Sequence, residues 1–105
     1  MSINTKIMMG SLLDISTRNV LADVSIEITL SQPIKPKKKP SYQVIMTIIG
    51  YRPEYDNKTY LLKIGEQLIG EVIVHIVGIP DITRTSYSVK FVDTAWQNKD
   101  WFKNL

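Results

Sequence analysis

Regular alternation of apolar and polar residues is the dominant pattern along the chain. It is clearest from Ala22 to Leu30, where every second residue is apolar and Asp, Ser, Glu and Thr fill the positions between. Because successive side chains of a strand point to opposite faces, this pattern predicts a strand with one buried and one solvated face. The segment from Tyr87 to Phe91 alternates in the same way and predicts a second such strand.

Two other segments, Tyr42 to Ile49 and Val72 to Val77, are apolar at both parities and rich in β-branched residues. They are predicted to be central strands that are covered on both faces. Shorter apolar runs complete the set of predicted strands: residues 59–64, an edge strand at 3–9, and residues 12–15, which would form a hairpin with the strand that follows Asn19.

Turn-forming residues separate the predicted strands. Glycine, proline and small polar residues predict turns at Gly10-Ser11, at residues 16–19, at residues 65–67 and at residues 78–81, where they supply positive or preset φ angles. No segment before residue 93 has a helical period, and residues 94–105 are predicted to hold one or two helical turns. The chain is therefore predicted to be all-β with a short irregular or helical C-terminal tail.

The order of the predicted elements repeats along the chain. A short apolar run, a turn and a long strand from Leu12 to Ile28 recur from Leu61 to Ile76, and each copy leads through a proline to Ser-Tyr-x-Val, at Ser41 and at Ser86. We therefore predict a small antiparallel β-sandwich or barrel of two three-stranded units, residues 12–49 and 61–94, related by a pseudo-twofold axis. The alternative is chance resemblance between strands of similar composition.

Length and composition limit the domain count and the class of protein. The 105 residues are 44% hydrophobic and 22% charged, which predicts one globular domain spanning residues 1–105 and excludes the disordered class. The chain has no cysteine, its N-terminal residues do not resemble a signal peptide, and no apolar run approaches the roughly 20 residues that span a bilayer. We expect a cytoplasmic protein without integral membrane association.

The residues that carry chemistry are sparse. His75 is the only histidine, no glycine-rich phosphate loop or strained serine turn is present, and most carboxylates fall at solvent-side positions or in turns. The sequence therefore predicts no enzyme, no catalytic residue, no metal site and no cofactor.

A lysine-rich run between prolines is the strongest local charge feature. Its basic residues are Lys35, Lys37, Lys38 and Lys39, and the net charge of the chain is +3. These lysines would bind an acidic partner, either a nucleic-acid backbone or an anionic lipid headgroup, or they would only protect the neighbouring strand from aggregation. The sequence favours the second role.

Two segments concentrate the residue types that dominate protein interfaces, and each has an intramolecular alternative. In the loop after residue 50, aromatic and arginine side chains would anchor a partner or pack on the core. In the C-terminal tail, aromatic side chains would dock on another chain or fold back over one end of the sheet. The candidate interface residues are Tyr51, Arg52, Tyr55, Trp96, Trp101 and Phe102.

These features lead to two hypotheses for the function. The first is a non-catalytic, structural or accessory module that binds another protein through loops, a strand edge or the aromatic tail, with homo-oligomerisation through the N-terminal strand included. The second is a nucleic-acid-binding barrel of the oligonucleotide-binding type that uses the lysine run. The first is favoured, because the lysines and the tyrosines do not alternate on one strand face.

Overall fold

The computed structural model describes residues 2–32 and 41–104, which form one closed barrel of six antiparallel strands. Around the barrel the strands follow the order β1-β2-β3-β6-β5-β4, and β4 closes on β1. The all-β prediction is confirmed, and of its two alternatives, sandwich or barrel, the structure shows the barrel. The strands are β1 (Ser2–Leu13), β2 (Val20–Gln32), β3 (Ser41–Ile49), β4 (Lys58–Ile64), β5 (Gln67–Ile76) and β6 (Arg84–Phe91).

The barrel consists of two three-stranded meanders that meet at two seams. β1, β2 and β3 pair in sequence, as do β4, β5 and β6, and the seams are the β1–β4 and β3–β6 pairs. This strand order is the one that two pseudo-twofold-related units require. The duplication of the sequence itself stays a prediction.

Alternate apolar side chains fill the interior of the barrel. All of them lie on inward-facing positions, because a closed sheet has one inner and one outer face and side chains alternate between the two. The residues whose side chains are completely enclosed are Leu12, Val24, Ile26, Met46, Leu62, Val72, Val74, Thr85 and Tyr87.

Closure of the sheet also explains why two sequence predictions were wrong. β3 and β5 are not covered on both faces: their outer-face residues are half-buried or exposed, and Ile49 lies almost fully in solvent, because the described residues form a single-layer barrel without a second sheet over its outer face. Gly10 does not begin a turn but lies within β1. A Cβ at this position would collide with the carbonyl oxygen of Lys63, so this glycine permits the close approach of β4.

The two ends of the barrel carry different features. The loop end holds the connections 14–19, 50–57 and 77–83. The tail end holds the tight turn between β4 and β5 and the C-terminal segment, in which a 3₁₀ turn at Trp96–Asn98 precedes a helix α1 at Asp100–Lys103. The two short helical turns agree with the prediction for the tail.

Candidate protein-binding surfaces

Buried hydroxyl groups of β6 hold the loop that carries Tyr51, Arg52 and Tyr55. The main-chain N–H of Arg52 donates to Thr85 Oγ1 at 2.7 Å, and Thr85 Oγ1 donates to the carbonyl oxygen of Gly50 at 2.8 Å. The Tyr87 hydroxyl donates to the carbonyl oxygen of Arg52. Because Thr85 and Tyr87 are fully buried, these bonds fix the loop to the barrel wall.

The environment of Tyr87 keeps its hydroxyl protonated. Burial raises the pKa of Tyr87 to about 12, since a phenolate in the barrel interior would lose its hydration. The hydroxyl therefore remains a donor to the loop throughout the neutral range.

The three interface candidates on this loop have different accessibilities. Tyr51 is 59% exposed, and Arg52 is exposed with its guanidinium 3.5 Å from Glu54 Oε2. Tyr55 is only 9% exposed: its ring packs edge-to-face on Tyr60, with 5.5 Å between ring centroids. Tyr55 is therefore a packing residue of the loop, whereas Tyr51 and Arg52 remain accessible to a partner.

The aromatic residues of the C-terminal tail fold back over the tail end of the barrel. The ring of Trp96 stacks on Phe91 with 4.6 Å between centroids, and it packs edge-to-face with Tyr42, with 5.5 Å between those centroids. Trp101 lies 6.0 Å from Trp96, and Phe102 lies 5.1 Å from Tyr42. The side chains of Trp96, Trp101 and Phe102 are half-buried, so the tail acts chiefly as a lid.

The lysine run lies outside the described residues. Lys35, Lys37, Lys38 and Lys39 belong to the connection between β2 and β3, for which the structure gives no description. Their binding role stays a prediction from the sequence.

β1 has a free edge at the tail end of the barrel. β4 pairs with β1 only at positions Gly10 to Leu13, and the last contact on that side is the Gly65 N–H, which donates to the Met9 carbonyl oxygen at 3.0 Å. From Ser2 to Met8, β1 pairs with β2 on one side. On its other side no strand of residues 2–32 or 41–104 pairs with it.

The bond to Met9 shows which main-chain groups face the free edge. In an antiparallel strand the N–H and C=O of one residue point to the same side, and consecutive residues alternate between sides. Because the carbonyl of Met9 points away from β2, the main-chain groups of Ile7 and Thr5 do so as well. Each of these two residues therefore presents an N–H and a C=O along the free edge.

The side chains beside the free edge are apolar on the outer face. Ile7 is 70% exposed and Met9 is 67% exposed, and both lie on the outside of the barrel with Thr5. Lys6 is the one charged residue described in this stretch. Long strand edges are usually protected by charges, prolines or bulges. From Thr5 to Met9 only Lys6 provides such protection.

Exposed isoleucines at the loop end were not identified from the sequence. Ile49, Ile79 and Ile82 are 87–93% exposed, and two of them flank a rigid turn. The Asp81 carboxylate accepts the N–H groups of Thr83 and Arg84, at 2.8 and 3.1 Å, and hydrogen bonds from Thr83 lower the pKa of Asp81. The sequence signal was available, since two isoleucines flank Pro80-Asp81, but the segment was interpreted only as a turn.

A shallow cleft of about 450 Å³ at the loop end is lined by several ionisable groups. Asp14 lines it, but its carboxylate accepts the N–H groups of Ser16 and Thr17, which lowers its pKa. Burial raises the pKa of Tyr60, which also lines the cleft. His75 is exposed elsewhere, on the outer face of β5.

The described part of the chain thus defines a small closed β-barrel in which β1 has a free edge from Ser2 to Met8. Residues 2–32 and 41–104 contain no cluster of three or more metal-ligating side chains, and none of their helices is long and apolar enough to cross a bilayer. Comparison with protein-family models, with curated proteins and with solved structures found no match for this chain.

Proposed function

We propose that this protein is a non-catalytic interaction module that binds an extended segment of a protein by adding it as a strand to the free edge of β1. The observation that carries the proposal is the length of β1 beyond β4, because Ser2 to Met8 continue past the last β1–β4 pair. Strand addition to an exposed edge is a common mode of peptide recognition.

Main-chain groups at the edge supply the affinity in this mode. The N–H and C=O groups of Thr5 and Ile7 point away from β2 and would form ladder hydrogen bonds with the added strand. Side chains next to the edge supply selectivity. Ile7 and Met9 lie on the outer face, so an apolar residue of the added strand would pack beside them and bury their surface.

The test uses a peptide selected against the purified protein from a random-sequence library. Binding of the labelled peptide is measured by fluorescence anisotropy for the wild type and for two variants that carry the same substitution. Ile7→Lys places a charge at the free edge, and Ile79→Lys places it on the isoleucine at the loop end. We expect Ile7→Lys to weaken binding at least tenfold and Ile79→Lys to leave it unchanged.

Amide hydrogen exchange locates the bound peptide independently of the substitutions. If the peptide adds as a strand, the amides of Thr5 and Ile7 become protected when it binds, because each then donates to the peptide. Loss of binding in Ile79→Lys, together with unprotected Thr5 and Ile7 amides, would place the binding site at the loop end and refute the proposal.

A further inference from the structure

The free edge of β1 is compatible with pairing to an identical edge. Resting on the proposed function, we propose that β1 pairs antiparallel with β1 of a second copy of this chain, with Thr5 opposite Thr5 on a twofold axis. The two meanders β1-β2-β3 would then form one continuous six-stranded sheet across the dimer. Twofold pairing of identical edges is self-complementary and closes after two subunits.

The free length of β1 excludes a pairing centred on Ile7. That register would place Thr5 opposite Met9 of the second copy, whose carbonyl oxygen already accepts the Gly65 N–H at 3.0 Å. The turn between β4 and β5 therefore occupies the position that the added strand would need. A pairing centred on Thr5 uses only residues 3–7 of each chain, which lie within the free stretch Ser2–Met8.

Charge excludes a pairing centred on Lys6. In that register the two Lys6 residues would lie directly opposite each other, and their Cα atoms would be only about 4.5 Å apart because their main-chain groups point away from the free edge. Like charges in opposite positions destabilise a strand pair. With Thr5 at the centre, Lys6 instead lies opposite position 4, an asparagine in the sequence.

The alternation of main-chain directions agrees with Thr5 as the centre. Thr5 and Ile7 present N–H and C=O groups to the edge, so the pairs 5–5, 7–3 and 3–7 would each exchange two hydrogen bonds. The exposed side chain of Ile7 would lie in register with position 3 of the second copy. An interface this short buries little surface, so we expect a weak dimer that dissociates on dilution.

The first arm of the test measures the oligomeric state. Sedimentation velocity of the full chain over a wide concentration range should show a shift from monomer to dimer in the wild type and in Ile79→Lys. Ile7→Lys should remain monomeric at the highest concentration, with circular dichroism confirming that it folds. A dimer that Ile7→Lys leaves intact would overturn the proposal.

The second arm measures the register with single cysteines, since the chain has none of its own. Thr5→Cys places the two thiols on the twofold axis, whereas in Ile7→Cys they would be four residues apart, about 13 Å along the strand. Oxidation should therefore cross-link Thr5→Cys at least ten times faster than Ile7→Cys. Equal rates, or faster cross-linking of Ile7→Cys, would overturn the register.

Failure of this inference can be distinguished from failure of the proposed function. A chain that stays monomeric, but whose selected peptide depends on Ile7 and protects the amides of Thr5 and Ile7, overturns the dimer and supports strand addition of another protein. A chain that neither dimerises nor binds a peptide at this edge overturns both.

Discussion

Removal of the buried Tyr87 hydroxyl should show how much its hydrogen bond to the 50–57 loop contributes to the free energy of unfolding. In Tyr87→Phe the ring remains, but the carbonyl oxygen of Arg52 loses the hydroxyl that donates to it. A buried hydrogen bond contributes about 1 kcal/mol, and an acceptor left unpaired raises the cost to about 1–3 kcal/mol. At pH 7 we expect Tyr87→Phe to lower the free energy of unfolding by this amount.

Alkaline pH should reduce the difference in free energy of unfolding between the wild type and Tyr87→Phe. Burial raises the pKa of Tyr87 to about 12, compared with about 10 for an unfolded chain. Between these values the folded state keeps the proton while the unfolded state releases it, so the stability of the wild type falls as the pH rises from 10 to 12. At pH 12 the contribution of Tyr87 to the free energy of unfolding of the wild type should be about 2 kcal/mol smaller than at pH 7. Tyr87→Phe has no hydroxyl at this position, so it should not show this decrease.

Urea unfolding followed by tryptophan fluorescence at pH 7 to 12 provides the measurement. Tyr51→Phe is the matched control, because Tyr51 is 59% exposed and loses the same hydroxyl. The free-energy difference between the wild type and Tyr87→Phe should shrink above pH 10, whereas the difference for Tyr51→Phe should stay near zero. A difference for Tyr87→Phe that remains constant from pH 9 to 12 would refute the reasoning.

Three other substitutions test the seam, the lid and the loop-end turn. Gly10→Ala should destabilise the protein by about 1–3 kcal/mol in urea unfolding, because its Cβ collides with the Lys63 carbonyl. Trp96→Ala removes the ring stacked on Phe91 and should shift the emission of the remaining tryptophan to longer wavelength; an unchanged spectrum would contradict the folded-back tail. Asp81→Asn removes a carboxylate whose pKa is lowered, so its destabilisation should be present at neutral pH and disappear as acid protonates the wild type.

Local patterns predicted the strands because each strand has only one inner face. The alternation from Ala22 to Leu30 lies entirely within β2, and its apolar residues point inward. Gly10 shows where this reasoning fails. A glycine at a turn and a glycine at a close approach of two strands are identical in sequence, and only the position of β4 distinguishes them.

The candidate site depends on pairing between distant segments, which the local pattern does not contain. Tyr55 lies in the core because Thr85 and Tyr87, some thirty residues further along, hold its loop against the barrel. The free edge arises because β1 has 12 residues and β4 has 7, so β4 covers only one end of β1. The two strand lengths were partly visible in the sequence, but the register that offsets them was not.

The pairing registers show where the two meanders correspond and where the alignment of the predicted repeat departs from that correspondence. In the β1–β2 pair the register shifts between Leu12 and Leu13, and Leu21 of β2 is skipped. In the β4–β5 pair the register shifts in the same way, and Ile69 of β5 is skipped.

The predicted repeat ends its long strands at Ile28 and Ile76, which aligns Leu21 with Ile69 and agrees with this shift. It also aligns Leu12 with Leu61, whereas the registers place Leu12 and Leu62 in equivalent positions, opposite Ala22 and Gly70. If β2 is superposed on β5 in this register, Ile26 coincides with Val74. The residues that pair with them in the third strands, Met46 and Val89, then coincide as well.

In this superposition, the third strands of the two meanders, β3 and β6, are offset by two residues from the alignment in which their Ser-Tyr-x-Val motifs coincide. Tyr87 is then equivalent to Val44, and Tyr42 has no tyrosine equivalent in β6. The two tyrosines accordingly have different roles: Tyr87 binds the loop at one end of the barrel, and Tyr42 packs against the tail at the other. A twofold relation between the meanders therefore depends on the shared ladder shift in the first hairpins, and not on the Ser-Tyr-x-Val motif.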